Sequence, residues 1–334
     1  MNTDNALVTI EQFESAQSII YRALDPSPQI AWPLLAEQCA TDVWVKHENH
    51  LPTGCFKVRG GLVYAQHLDE TLSECNGLIA ATRGNHGQSV AFAARRYGIK
   101  AVIVAPRGNN PDKNRAMCAY GCELIEYGDD FNEALDHAKH LGEARDLIFF
   151  PSFDPILMRG VGTYGVELLS AVQDLHTIYV PIGLGSGICG LIAARDALNL
   201  TTKIVGVVAS AADTYARSFE HQRPVSTESA DTMADGLAVR IPDPQALSIM
   251  LAGVERIVSV SDAEIEAAIA IYFSTTHNVV EGAGAAPLAA LLKDRDRFDG
   301  ARVGLILSGA NIDSAQFARI ISAHINSERM PSVD

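Results

Sequence analysis

The chain reads as an α/β protein made of two open, parallel-sheet lobes, and three observations carry that reading. From Gly77 onward, short apolar runs alternate with longer amphipathic ones, the order of strands and helices that builds a parallel sheet covered on both faces. The alternation returns in the second half of the chain. A length of 334 residues at 48% hydrophobic content is enough for a large core divided between two lobes.

Taken in order, residues 10–24 carry Phe13, Ile19, Ile20 and Ala23 at helical spacing and predict a packing helix, and residues 58–67 predict another. Strands are expected at 78–80, 101–104 and 124–125, with helices at 88–97 and 114–120 between them. In the second half, strands at 178–180, 204–208 and 303–307 accompany a helix from Ile188. Residues 220–235 are poor in large apolar side chains and rich in Ser, Thr and Asp, which predicts a loop. The boundaries expected are 1–76 with 156–334 for a larger domain and 77–155 for a smaller one. Ligands are expected at the carboxyl ends of the strands.

The formal net charge of −14 disfavours nucleic acid or an acidic bilayer as a partner, since both demand a basic surface. A small metabolite fits better. The six cysteines are scattered, without the paired spacing of a zinc site or a disulfide framework, so reduced thiols and a cytoplasmic location are expected. The first residues are polar and acidic, and no apolar run approaches the roughly 20 residues that cross a bilayer, so neither export signal nor membrane anchor is expected.

Chemistry concentrates in a few segments. Gly183-Leu184-Gly185-Ser186-Gly187 follows an apolar strand and opens a helix, so its backbone N–H groups and the helix N-terminus can converge on a phosphate. Its ordinary reading is a tight strand-to-helix turn. No Gly-Lys-Ser/Thr follows to make a nucleotide P-loop. Lys57 precedes a helix beside Phe56; an apolar cleft there would favour the neutral amine that a Schiff-base lysine needs, and Phe56 could lie against a cofactor ring. Without such a cleft, Lys57 is a solvated first-turn lysine and Phe56 is core.

Thr82-Arg83-Gly84-Asn85-His86-Gly87 lies where a strand runs into a helix. Asn85 could donate to a phenolate-like oxygen or act as a helix N-cap, and the loop N–H groups could hold a carboxylate. Ser308 ends the last apolar strand, where a hydroxyl could meet an unprotonated pyridine nitrogen; a ring left neutral favours eliminations with prompt leaving-group departure. Together these segments point to pyridoxal 5'-phosphate.

At these residues the chain resembles the serine/threonine dehydratase group of fold-type II pyridoxal phosphate enzymes, which includes serine racemase and single-domain threonine dehydratases. The resemblance spans nearly the whole length. Residues 53–60 match Thr-Gly-Ser-Phe-Lys-x-Arg-Gly, 82–86 match Ser-Ser-Gly-Asn-His, 183–187 match the tetraglycine loop, and 308–311 match Ser-Gly-Gly-Asn. Residues 234–239 and 281–284 also look like family segments.

The resemblance implies a tryptophan synthase β-like fold with the cofactor in the cleft between the lobes. It implies Lys57 as cofactor anchor and α-proton base, Asn85 near the ring hydroxyl, Gly183, Leu184, Gly185, Ser186 and Gly187 on the phosphate, and Ser308 on the ring nitrogen. Thr82, Arg83, Gly84, Asn85 and His86 would form the substrate loop, with Gly236 and Glu281 lining the site; Glu281 could equally be a surface group complementing a helix dipole. The larger domain would bind cofactor, the smaller the substrate carboxylate, and the enzyme would be a homodimer.

Cys55, Leu184 and Ser186 depart from the family pattern without removing backbone donors. Arg83 departs more sharply, occupying the place of the serine that looks like the second acid/base of racemases; arginine does not surrender a proton near neutral pH, so racemisation is not expected as the main activity. Arg83 instead either selects an anionic or aromatic β-substituent or faces solvent. No metal is expected, because residues 207–213 lack the family's ligand-like glutamate and Asp213 alone is a poor hard-cation site.

The expected activity is dehydration of a β-hydroxy-α-amino acid, such as threonine, serine, 3-hydroxyaspartate or phenylserine, to a 2-oxo acid and ammonia. A β-replacement enzyme resembling cysteine or threonine synthase, and a catalytically silent metabolite-binding protein on the same scaffold, are the alternatives. The length leaves no room for an appended regulatory domain of the biosynthetic type.

Overall fold

The computed structural model describes residues 7–71, 75–298 and 300–329. The chain begins with α1 (Ile10–Ile20), β1 (Gln29–Ala31), α2 (Pro33–Cys39), β2 (Asp42–His47) and α3 (Lys57–Thr71). Next come β3 (Leu78–Ala81), α4 (Asn85–Arg96), β4 (Ala101–Ala105), α5 (Pro111–Ala119), β5 (Glu123–Glu126), α6 (Phe131–Arg145) and β6 (Ile148–Phe149). The second half runs α7 (Pro155–Ala171), β7 (Leu175–Pro181), α8 (Ser186–Ala197), β8 (Lys203–Ala209), α9 (Thr214–Glu220) and α10 (Pro244–Gly253). It closes with β9 (Arg256–Val260), α11 (Asp262–Thr276), α12 (Gly282–Asp294), β10 (Arg302–Leu307) and α13 (Ser314–Arg329). Residues 221–234 form the irregular segment expected from their composition.

Two compact units emerge. The first holds the chain up to Ser27, His50–Ser170 and Leu184–Thr201. Its four-stranded sheet, in the order β5-β4-β3-β6, is parallel throughout. Every strand of that sheet lies within 77–155, but the compact unit extends well beyond this range. The reason is packing: Ala16 and Ile20 of α1, Val58, Leu62, Val63 and Ala65 of α3, and Ala93 of α4 share one buried cluster. The backbones of α3 and α7 also meet closely, since a Cβ on Gly60 would stand 2.8 Å from the Leu157 carbonyl and one on Gly160 would stand 2.7 Å from that of Arg59.

Arg59, fully buried on α3, fastens this unit further. Its Nη1 donates to Glu167 Oε1 at 2.6 Å and its Nη2 to Oε2 at 2.9 Å, with Thr163 and Ser27 accepting further bonds. Tyr21 of the N-terminal segment donates its hydroxyl to the same Glu167 at 2.8 Å. One ion pair thus ties α3, α7 and the chain following α1 together.

The second unit holds Pro28–Asn49, Ala171–Gly183 and the chain from Thr202. Its sheet runs β1-β2-β10-β7-β8-β9. All pairings are parallel, as the alternation of strands and helices predicts, except β1 with β2, which is antiparallel. The link between β1 and β2 contains only the seven-residue α2, too little for a parallel crossover of a dozen residues or more. The first ten residues of α12 are all buried, and the helix packs on β7, β8, β9 and β10. Because β10 and β7 run parallel in register, their carboxyl ends release Ser308 and Gly183 at the same sheet edge, where open α/β sheets present ligand sites. Among the described residues, no helix is long and apolar enough to cross a membrane.

Candidate active site

In the first unit, Lys57 is the first residue of α3 and is half-buried. Its Nζ lies 4.5 Å from the centroid of the Phe56 ring, and its carbonyl accepts the Ser89 hydroxyl at 2.7 Å. Phe56 in turn faces Gly187, where an added Cβ would stand 3.6 Å from the ring edge. Tyr164 of α7 completes this corner, donating its hydroxyl to the Gly187 carbonyl at 2.7 Å and meeting Phe56 edge-on at 6.2 Å between centroids. Tyr164 carried no signal in the sequence, because one tyrosine in an apolar helical run reads as core.

The glycine-rich loop owes its shape to Gly185, which adopts φ 113° as the N-cap of α8, a backbone state that a side chain would strain. The first helical bond runs from Cys189 N–H to the Gly185 carbonyl at 3.0 Å, so the N–H groups of Ser186, Gly187 and Ile188 have no intrahelical acceptor. Gly187 itself is required neither by backbone conformation nor by crowding, since its nearest neighbours would lie at ordinary contact distance from a Cβ. A bare backbone and N–H groups without an intrahelical acceptor at a helix N-terminus are what a phosphate could use.

The loop 82–87 sits at the start of α4. Thr82 Oγ1 accepts the Gly84 N–H at 3.0 Å. Gly84 is the N-cap and Asn85 the first helical residue, so the capping position read as open to Asn85 belongs to Gly84. Gly87 cannot bear a side chain, because its Cβ would collide with Met117 Sδ and Thr82 Cγ2. His86 is buried with its ring on Phe150 and its Nε2 3.4 Å from the Phe150 carbonyl. Burial pushes its pKa down to about 4, reinforced by the charge of Lys57 and opposed by the carbonyl. A neutral ring with Nε2–H turned to a carbonyl keeps Nδ1 as an acceptor, so the imidazole brings no positive charge to this loop. Since the folded pKa lies below the ordinary value, the stability His86 contributes is present above about pH 6.5 and is lost as pH falls toward 4. NMR titration should find no His86 transition between pH 5.5 and 8; a midpoint near 6.5 would contradict this environment.

Arg83 is exposed, and its guanidinium has no hydrogen-bond or ion-pair partner among the described residues. Its backbone is held instead, the carbonyl accepting Asn109 Nδ2 at 3.2 Å while Asn109 donates also to Asn114 at 2.7 Å. The loop is anchored while the side chain is left unengaged.

The second unit gathers the other predicted residues around the carboxyl ends of β7 and β10. Gly183 lies so close to Gly236 that a Cβ would collide with the Gly236 carbonyl, and a Cβ on Gly236, in the short turn Asp235–Leu237, would stand 2.8 Å from that of Ala283. Glu281 is the N-cap of α12 and only 7% exposed, which argues against the surface-group reading. Its N–H donates to the Gly309 carbonyl at 3.1 Å. Ser308 is 3% exposed, yet its hydroxyl makes no hydrogen bond within the described protein. A hydroxyl without a partner at the end of β10 is free to meet a group from outside the chain. Asp213 is occupied by Arg217 at 2.8 Å, and no group of three or more His, Cys, Asp or Glu among the described residues could hold a metal ion.

Comparison with known proteins agrees with this chemistry. The family model described as "Pyridoxal-phosphate dependent enzyme" matches residues 20–309. An L-threonine ammonia-lyase of Thermotoga maritima is 32% identical over 317 residues, covering 95% of this chain and 79% of that protein. The crystal structure of a threonine deaminase from T.th. superposes with a TM-score of 0.85 at 32% identity, covering 91% of this chain and 99% of that one. Maize serine racemase superposes with a TM-score of 0.88 at 26% identity, covering 97% and 100%. With a family model spanning most of the chain and relatives above 30% identity along it, the protein belongs to the pyridoxal-phosphate dependent enzymes, in their serine/threonine dehydratase group of fold type II, and is a lyase that uses pyridoxal 5'-phosphate.

Proposed function

We propose that the protein dehydrates a β-hydroxy-α-amino acid to a 2-oxo acid and ammonia. The observation that carries this is the meeting, in one unit, of an amine able to act as base with a helix N-terminus able to hold a carboxylate: Lys57 is joined to α4 through its carbonyl, which accepts the Ser89 hydroxyl at 2.7 Å. Lys57 would hold the cofactor through Nζ, and the same atom, as a free amine, would take the α-proton. The N–H groups following Gly84, with Thr82 bracing the turn, orient the substrate carboxylate. Asn85 would donate to the ring hydroxyl, residues 183–187 would hold the phosphate, and Gly236, Glu281 and Ser308 would be the further cofactor residues. Bound pyridoxal phosphate supplies the electron sink for the pair left at the α-carbon. Ser308, a hydroxyl where a carboxylate would enforce ring protonation, supports elimination over slower carbanion chemistry.

Residues 77–155, which contain the loop 82–87, are assigned the carboxylate-binding role, and 1–76 with 156–334 the cofactor role. The relatives' names support an amino-acid substrate, and the free state of all six cysteines supports a reducing, cytoplasmic setting. A homodimer is the proposed assembly, checked by light scattering of the holoenzyme; a monomer would contradict it.

The unengaged Arg83 side chain sets the substrate class in this proposal. Guanidinium pairs with carboxylates and stacks on rings, so 3-hydroxyaspartate or phenylserine should be turned over in preference to threonine. Removal of Arg83 should reduce that preference about tenfold or more, the worth of one charged hydrogen bond. The test is 2-oxo acid production from threonine, serine, 3-hydroxyaspartate and phenylserine by the wild type and Arg83→Ala. An unchanged ratio of kcat/KM values would remove Arg83 from the specificity argument, and no oxo acid from any of them would remove the dehydratase.

A further inference from the structure

The second unit contains a clasp whose position in the fold links it to the cofactor residues. Asp262, the first residue of α11, accepts the Thr232 hydroxyl on Oδ1 at 2.5 Å and the Met233 N–H on Oδ2 at 2.9 Å. Thr232 Oγ1 accepts the Ala234 N–H at 3.2 Å. Both carboxylate oxygens are thus spent on a segment 29 and 30 residues earlier in the chain. The helix is capped independently, by Ser261 and Glu264 in a reciprocal box, so Asp262 is not needed for that task.

The clasped segment is the one that delivers Gly236. Met233 and Ala234 lie against Gly282, where a Cβ would stand 2.7 Å from Met233 Sδ and 2.9 Å from Ala234 Cβ. Two residues later, the Gly236 carbonyl occupies the space a side chain on Gly183 would need. Residues 232–236 therefore form a short bridge from α11 to the first glycine of the phosphate loop and to the N-terminus of α12, beside Glu281. The bridge begins in irregular chain, so its placement depends on what fixes its near end.

We propose that Asp262 and Thr232 are positioning residues for cofactor retention: their hydrogen bond sets the 233–236 segment, and through it the Gly183 end of the phosphate loop. The inference rests on the assignment of residues 183–187 to the phosphate. Thr232→Val, which removes the hydroxyl and keeps the shape, should weaken the apparent affinity of the holoenzyme for pyridoxal phosphate about tenfold. Thr232→Ser should retain wild-type affinity. Asp262→Ala should weaken it at least as much as Thr232→Val, and the double variant should be no weaker than Asp262→Ala, because both remove one coupled interaction. At saturating cofactor, kcat should stay within about twofold, since neither residue is assigned to the reacting atoms.

The measurement is cofactor release from the holoenzymes, followed by dialysis and absorbance, with thermal unfolding and kcat run in parallel. Gly183→Ala serves as control for the loop assignment. Weakened retention in Thr232→Val with rescue in Thr232→Ser supports the clasp. A lowered unfolding temperature with unchanged retention, or failure of Thr232→Ser to rescue, overturns it. If Gly183→Ala weakens retention while the Thr232 variants do not, the clasp alone is wrong; if Gly183→Ala also retains cofactor normally, the phosphate-loop assignment falls and the inference with it.

Discussion

Lys57→Ala should lose turnover by at least about 10³-fold, because it removes both the covalent anchor and the base. The folded protein should survive the change. Lys57 Nζ lies over the ring of its own neighbour Phe56, and its bond to Ser89 uses the backbone carbonyl, which alanine keeps. Alanine is also the best helix former at the first position of α3, so stability measured by urea unfolding should stay within about 1 kcal/mol. This separation of activity from stability distinguishes a catalytic lysine from a packing one. Oxo-acid release by Lys57→Ala at near wild-type rate would refute the role, whatever the cofactor content.

Arg59→Met, two residues further along the same motif, should do the opposite to the fold. It leaves Glu167, with only 6% of its side chain exposed, as a buried carboxylate without its cation, a change that costs about 3–5 kcal/mol. Removing both charges in Arg59→Met with Glu167→Leu should recover most of that loss, since an apolar pair of similar volume avoids the desolvation penalty. Urea unfolding at fixed cofactor concentration checks both variants. A single variant within about 1 kcal/mol of wild type, or a double variant no better than the single, would show that the pair is not an energetic fastener.

These two neighbours in one motif also show how far the sequence could be read. The places of Lys57 at a helix start, of the loop 183–187 between strand and helix, and of Ser308 at a strand's end were legible because such placement is set within a few residues. Strands β3, β4, β5, β7, β8 and β10 were legible for the same reason, since apolar runs bounded by turns mark them directly, whereas β1, β2, β6 and β9 were not expected. The role of Arg59 was not legible, because its partner Glu167 lies 108 residues away and nothing in local periodicity pairs them. Tyr164, the Thr232–Asp262 clasp and the extent of the first compact unit were hidden in the same way, each depending on contacts between distant segments. The antiparallel β1 escaped notice because three residues give too short a run to distinguish from loop. Asn85 shows a finer limit: spacing placed it at a helix start, but only the backbone shows that Gly84 takes the capping position.

The central claim is that this chain holds pyridoxal 5'-phosphate on Lys57, and borohydride reduction of the holoenzyme followed by peptide mass analysis tests it most directly. The account predicts a single reduced adduct with the mass of the cofactor, on the peptide containing Lys57 and absent from Lys57→Ala. Adduct spread over surface lysines, or a protein that takes up no cofactor at all, would contradict it.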